Sequence, residues 1–181
     1  MKLADGFSMR SGWLQKPTNS RAYRPWLIER GSLTRKLQQA SKVFAVRPVQ
    51  FCRCKPLTEE AQLLKLRPWT RAWVREVYLD CNHKPAVFAH SVLPIGSLRG
   101  SWQNLGRLGN RSLGSALFSN PQVRRTPLTF RKLSRQHHLY DKAVLQLKSA
   151  PSELWARRSV FYLHGSVIQV TEIFLPQVLA L

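Results

Sequence analysis

Acidic residues are scarce in this chain of 181 residues: 9 Asp and Glu stand against 29 Lys and Arg, for a formal charge of +20. The sequence offers no paired-carboxylate motif, no Gly-rich phosphate loop, no G-x-S-x-G and no H-E-x-x-H, which removes the commonest signatures of glycosidases, nucleotide enzymes, serine hydrolases and zinc proteases. Cysteine is also rare, at 3 residues. That small, odd number does not make a disulfide framework and fits a reducing, cytoplasmic setting. No apolar run is long enough to span a bilayer. Met1 to Arg24 has no apolar stretch of secretory type, so this lead-in reads as irregular. Internal repeats and low-complexity segments are absent.

What is present is a globular composition, 44% hydrophobic, of a length that suits one domain with a substantial core. Arginine supplies 19 of the cations, and such a balance attracts polyanions, so a nucleic-acid-binding protein has to be weighed. The cations are scattered, with no block of five or six, no zinc-finger spacing and no RNP motif. A basic surface that favours small anionic substrates is the plainer reading. Cys52-x-Cys54 and Cys81-x-His83 add up to four zinc-ligand types, but structural zinc pairs are usually spaced by two to four residues. Burial of the cysteines as small apolar side chains is the expectation, with no metal.

The pattern along the chain predicts an α+β domain: an antiparallel sheet of four to six strands with helices packed on one face. A short helix over Tyr23–Glu29 ends at Gly31, and Ser32 is placed to cap a helix over Leu33–Ala40. Val43–Cys54 reads as an edge strand interrupted at Pro48. Leu57–Leu66 is ambiguous. Trp69–Asp80 and Ala86–Leu93 form a hairpin around Asn82-His83-Lys84-Pro85. Pro94–Gly100 reads as a loop, followed by helices over Ser101–Leu108 and Ser112–Phe118, then a strand over Val123–Ser134. His137–Ser149 is helix-like. Trp155–Leu163 and Val167–Leu175 close the sheet around His164-Gly165.

Two strands put a charge where an apolar side chain is expected. Period-2 alternation sets Glu172 on one face with Ile168, Val170 and Phe174, and Arg75 with Trp73, Val77 and Leu79. Desolvating a carboxylate or a guanidinium is costly unless something pairs with it. The two residues therefore form either a structural ion pair or a pocket for a small anion, and periodicity alone leaves these two open. His137-His138 offers a base or a ligand, but a solvated pair is the simpler reading.

Four ordered blocks carry a family resemblance: Trp73-Val74-Arg75-Glu76-Val77; Ser91-Val92-Leu93-Pro94; Leu108 to Phe118, which reads LGNRSLGSALF; and the C-terminal LWARRS followed by Thr171-Glu172-Ile173-Phe174-Leu175-Pro176. Together, over about Ser32 to Pro176, the chain resembles the chorismate pyruvate-lyases. The resemblance implies a cofactor-free enzyme, with an internal site under helical flaps, that converts chorismate to 4-hydroxybenzoate and pyruvate at the head of ubiquinone biosynthesis. It implies that Arg75 binds the ring carboxylate, that Leu113 and Leu33 contact the ligand, and that Glu172 meets the ring hydroxyl and takes part in catalysis. Leu33 replaces the family's Met, so an apolar or main-chain contact is carried over. Arg157 and His90 are candidates for chorismate's second carboxylate. His90 stands where the family often has Arg, and 136–152 is longer than the family's spacing, an insertion. A monomer is expected. The rivals are a non-catalytic domain binding small aromatic acids, as in the effector modules of some transcription regulators, and the nucleic-acid reading. Such regulators carry a preceding helix-turn-helix domain, for which this chain has no room.

Overall fold

The computed structural model describes residues 12–103, 105 and 108–181. Seven antiparallel strands form one sheet: β1 (Phe44–Cys54), β2 (Ala72–Cys81), β3 (Lys84–Pro94), β4 (Arg124–Arg125), β5 (Thr129–Leu133), β6 (Leu154–Leu163) and β7 (Ser166–Phe174). Their spatial order is β1-β2-β3-β7-β6-β4, with β5 also paired to β6. The expected strand over Val123–Ser134 is thus two strands, separated by a segment containing Pro127, which cannot donate to a ladder.

Two tight turns set the hairpins. Asn82 and His83 both have positive φ (50° and 64°), as do His164 and Gly165 (46° and 79°), the geometry of two-residue turns whose twist matches the flanking strands. The first turn pairs Cys81 with Lys84, the second Leu163 with Ser166. β2 and β3 then slip by one residue between Leu79 and Asp80, so that Arg75 lies opposite Ser91 and Glu76 opposite His90. β1 is the expected edge strand, with an irregularity between Pro48 and Gln50.

The helices are α1 (Arg24–Leu27), α2 (Leu33–Ala40), α3 (Thr58–Leu63), α4 (Ile95–Arg99), α5 (Leu113–Phe118) and α6 (His138–Val144). Ser32 and Ser112 cap α2 and α5, each hydroxyl accepting from the N–H three residues on (3.3 and 3.1 Å). Within Pro94–Gly100, expected as a loop, Ile95–Arg99 is a helix: Pro94 sits at its N-cap and Gly100 follows its end. The helix expected over Ser101–Leu108 includes residues 104, 106 and 107, which lie outside the described ones, as do residues 1–11 of the lead-in.

One face of the sheet carries Val77, Leu79, Val87, Trp155 and Phe174 against α1, α2 and the C-terminal 3-10 turn (Pro176–Ala180). Farther along the same face, Leu93, Phe161, Ile168 and Val170 pack with Leu113 and Leu117 of α5. The insertion supplies α6, whose Leu139, Tyr140 and Ala143 cover Tyr78, Phe88 and Ile173 on the other face. Both faces are therefore sheltered, which explains how charged residues of either parity come to be buried.

Cysteine corrects one expectation. Cys52 and Cys54 are joined to each other, with Cα atoms 6.0 Å apart, while Cys81 is free and buried. Cys54 pairs with Ala72 and Cys81 with Phe44, at opposite ends of the β1–β2 ladder. The four zinc-ligand types read from the sequence do not converge.

Candidate active site

The cavity lies between the sheet and the starts of α2 and α5. Its walls include Leu33, Arg75, Val77, Ser91, Leu113, Phe161, Val170 and Glu172. Strand parity explains the convergence. Arg75 faces Ser91 across β2–β3, Ser91 faces Val170 across β3–β7, and Glu172 follows Val170 by two residues on the same face. The cover comes from two helix starts that approach closely. A Cβ on Gly114 would stand 3.0 Å from the Thr34 hydroxyl, so only glycine allows this spacing without displacement. By helix geometry the N–H groups of Leu33 and Leu113, each the first residue of its helix, have no intrahelical carbonyl. The cavity is small, with a volume of about 30 Å3, room for only a water or two. A ring-sized ligand thus enters only if the cover shifts.

Arg75 and Glu172 share the cavity but do not pair. Arg75 is 7% exposed, and its Nη2 donates to the carbonyls of Gly109 and Arg111, both at 3.0 Å. Among the described residues no carboxylate lies within 4.0 Å of it. Desolvation lowers its pKa, the mark of a cation buried without a counter-ion. Glu172 is held by Arg157, whose Nε donates to Oε2 at 2.5 Å. Arg157 is fully buried, and its Nη1 donates to the carbonyls of Trp26, Leu27 and Glu29 at 3.1, 3.3 and 2.7 Å. It ties Glu172 to the C-terminal end of α1, where a cation is favoured.

The sequence candidates therefore separate. Leu33, Arg75, Leu113 and Glu172 all line the cavity. Arg157 sits behind Glu172, its Nε engaged by that carboxylate and its Nη1 by the carbonyls around α1. His90 faces the opposite side of the sheet, and its candidacy for a substrate carboxylate is corrected by that placement. There its Nδ1 lies 2.9 Å from Glu76 Oε1 and its Nε2 2.9 Å from Glu60 Oε1, while Lys142 reaches Glu76 at 2.6 Å. Burial alone would lower the His90 pKa, but the charge and hydrogen bond of Glu60, and then of Glu76, push it up to about 9. His137 is not a solvated histidine either: Nε2 contacts Glu59 at 3.2 Å and Nδ1 caps α6 by accepting from Leu139 N–H.

Of the charged residues lining the cavity, one escaped the sequence reading. Arg125 of β4 pairs with Phe161 and lines the cavity with it. Arg124 and Arg125 occupy successive positions, so composition could not tell which faces inward; only the register to Phe161 decides.

The site thus has the form of a small, mostly apolar chamber with separate cationic and carboxylate anchors. A family model described as chorismate lyase matches residues 9–180. A protein from Methylobacillus flagellatus named probable chorismate pyruvate-lyase is 51% identical over 173 residues, 96% of this chain and 97% of its own. One of the same name from Nitrosomonas europaea is 49% identical over 153 residues, covering 84% and 86%. The chain belongs to the chorismate lyase family, a family of carbon–oxygen lyases. Among solved structures, the effector domain of PhnF from Mycobacterium smegmatis aligns at a TM-score of 0.57 with 14% identity, covering 81% of this chain and 90% of that one. A GntR-family regulator from Enterococcus faecalis aligns at 0.52 with 14% identity, covering 73% and 89%. These likenesses concern the fold. No described helix is long and apolar enough to cross a membrane.

Proposed function

We propose that the protein is a chorismate pyruvate-lyase that releases 4-hydroxybenzoate and pyruvate, and that it works as a monomer in the cytoplasm on the route to ubiquinone. The observation that carries the reading is the pair of charges in the cavity: Arg75 and Glu172 both face it, and neither neutralises the other.

In this reading the ring carboxylate lies against Arg75, whose planar fork stays charged when buried. The N–H of Leu113 and the main chain of Leu33 supply further donors at the helix starts. Val77 and Val170 form apolar walls, and Glu172 accepts from the ring C4 hydroxyl, held in place by Arg157. Elimination breaks the C3–O bond and removes the C4 hydrogen as a proton. The electron pair of the C4–H bond completes the aromatic ring, and enolpyruvate departs and takes a proton at its methylene to become pyruvate. No electrons are exchanged with an outside partner, so the demands on the protein are orientation, exclusion of water and placement of charge. Glu172 is the group positioned to help move that proton.

The test mixes purified protein with chorismate in EDTA and follows both products. Equimolar 4-hydroxybenzoate and pyruvate, lost in Arg75→Ala, support the reading. Binding of 4-hydroxybenzoate without turnover would replace it with a sensor of small aromatic acids. Neither turnover nor binding, with salt-dependent retention of oligonucleotides, would favour nucleic acid.

A further inference from the structure

We propose that Arg125 is a second anion-binding residue of this cavity, gripping a carboxylate carried on an arm of the substrate ring, so that the site selects aromatic or cyclic dicarboxylates over monocarboxylates. The identity of the natural ligand here rests on the lyase reading; the selectivity for two carboxylates does not.

Arg125 is held by neutral partners. Its Nε donates to Ser159 Oγ at 2.8 Å and its Nη1 to the Arg30 carbonyl at 3.1 Å. Its guanidinium lies 5.1 Å from the centre of the Phe161 ring and 5.5 Å from that of Phe118. These neutral contacts fix the fork without neutralising it. Among the described residues no carboxylate comes within 4.0 Å, and Glu172, the nearest acid of the cavity, is committed to Arg157. Burial draws the pKa down to about 10, with the Glu172 charge acting against that fall, so the group stays a cation at neutral pH. Arg125 is half-buried, and an oriented, partly desolvated cation without a counter-ion is costly unless a ligand completes it.

Arg75 is the other such cation of the chamber. Two guanidiniums without a carboxylate partner, matched to one ligand, call for two negative charges, and a charge-assisted hydrogen bond to a carboxylate is strong and directional. Arg125 is also the only described residue shared with an outer groove lined by Lys16, Arg24 and Arg30. It therefore stands on the side of the chamber that opens to a basic surface, where a severed carboxylate arm has a way out. A product with one carboxylate would leave Arg125 unmatched.

The test uses the full chain and two ligands that need no turnover: 4-hydroxybenzoate, with one carboxylate, and 3-(carboxymethoxy)-4-hydroxybenzoate, with two. In Arg125→Gln the dicarboxylate should bind about ten- to a hundred-fold more weakly, the weight of a charged hydrogen bond, and the KM for chorismate should rise in step. Binding of 4-hydroxybenzoate should change by less than about two-fold. Arg125→Lys should recover part of the loss, since it restores charge without the planar fork. Equal weakening of both ligands, or no change for the dicarboxylate, would overturn the inference. If Arg125→Gln does not fold, the wild-type protein decides: it must bind the dicarboxylate more tightly than the monocarboxylate. Discrimination without any turnover of chorismate would sink the lyase reading and leave this one standing.

Discussion

Arg157, not Arg75, is bonded to Glu172, and that partnership leaves Arg75 without a carboxylate partner. Arg157 Nε meets Glu172 Oε2 at 2.5 Å while its Nη1 holds three carbonyls around the end of α1. Glu172 thereby gains a fixed orientation, and Arg75 is left to find its anion in the cavity.

Removing Arg157 strands a carboxylate and three carbonyls. Arg157→Met should destabilise the fold by about 3–5 kcal/mol, the usual cost of breaking a buried pair from one side. Denaturant melts check this. The double variant Arg157→Met, Glu172→Gln should recover part of that loss, because no charge is then left uncompensated.

Glu172→Gln keeps the shape and removes the charge. Turnover should fall by about 100-fold or more if the carboxylate assists the proton, with little change in 4-hydroxybenzoate affinity. Single-turnover kinetics with chorismate read this directly, and full turnover would end the proton-transfer role.

Gly114→Ala brings a methyl to 3.0 Å from the Thr34 hydroxyl. The starts of α2 and α5 should separate, and the KM for chorismate should rise several-fold while the melting temperature moves little. Thr34→Ala in the same chain relieves the contact and should restore the KM; a double-mutant cycle measures the coupling.

Stability should depend on pH through the far face of the sheet. His90 titrates at about 9 in the fold against 6.5 unperturbed. Because the folded value is the higher one, its contribution is fully present below about pH 6.5 and is lost as pH rises through 9. Glu76 has the opposite sign: burial would raise its pKa, but hydrogen bonds from His90 and Lys142 win and lower it. Its contribution is present above the unperturbed 4.5 and fades as pH falls. Denaturant midpoints should therefore be highest between about pH 5 and 6.5, and the decline toward pH 9 should vanish in His90→Gln.

How legible the site was in the sequence follows from backbone parity. Alternation within β2 and β7 located Arg75 and Glu172 without any knowledge of the sheet, because both strands run unbroken through those residues. The family blocks added Leu113 and Leu33, and the capping serines marked the helix starts that carry them. His90 shows what parity cannot supply. Counting back from the Asn82-His83 turn puts His90 opposite Arg75, and only the one-residue slip between Leu79 and Asp80 moves Ser91 there instead. A single bulge thus sent His90 to the other face. Arg125 and Arg157 each belong to an Arg-Arg pair, in which one member must face each way. Choosing between them requires the register to β6 or β7, which is a property of the assembled sheet.

The most direct measurement is a crystal structure of the protein with 4-hydroxybenzoate. The ligand is expected inside the chamber, its carboxylate on the Arg75 fork and the Leu113 N–H, and its hydroxyl within hydrogen-bond distance of Glu172. A ligand lying with its carboxylate on Arg157, or bound only in the outer groove beside Arg24 and Arg30, would contradict that placement.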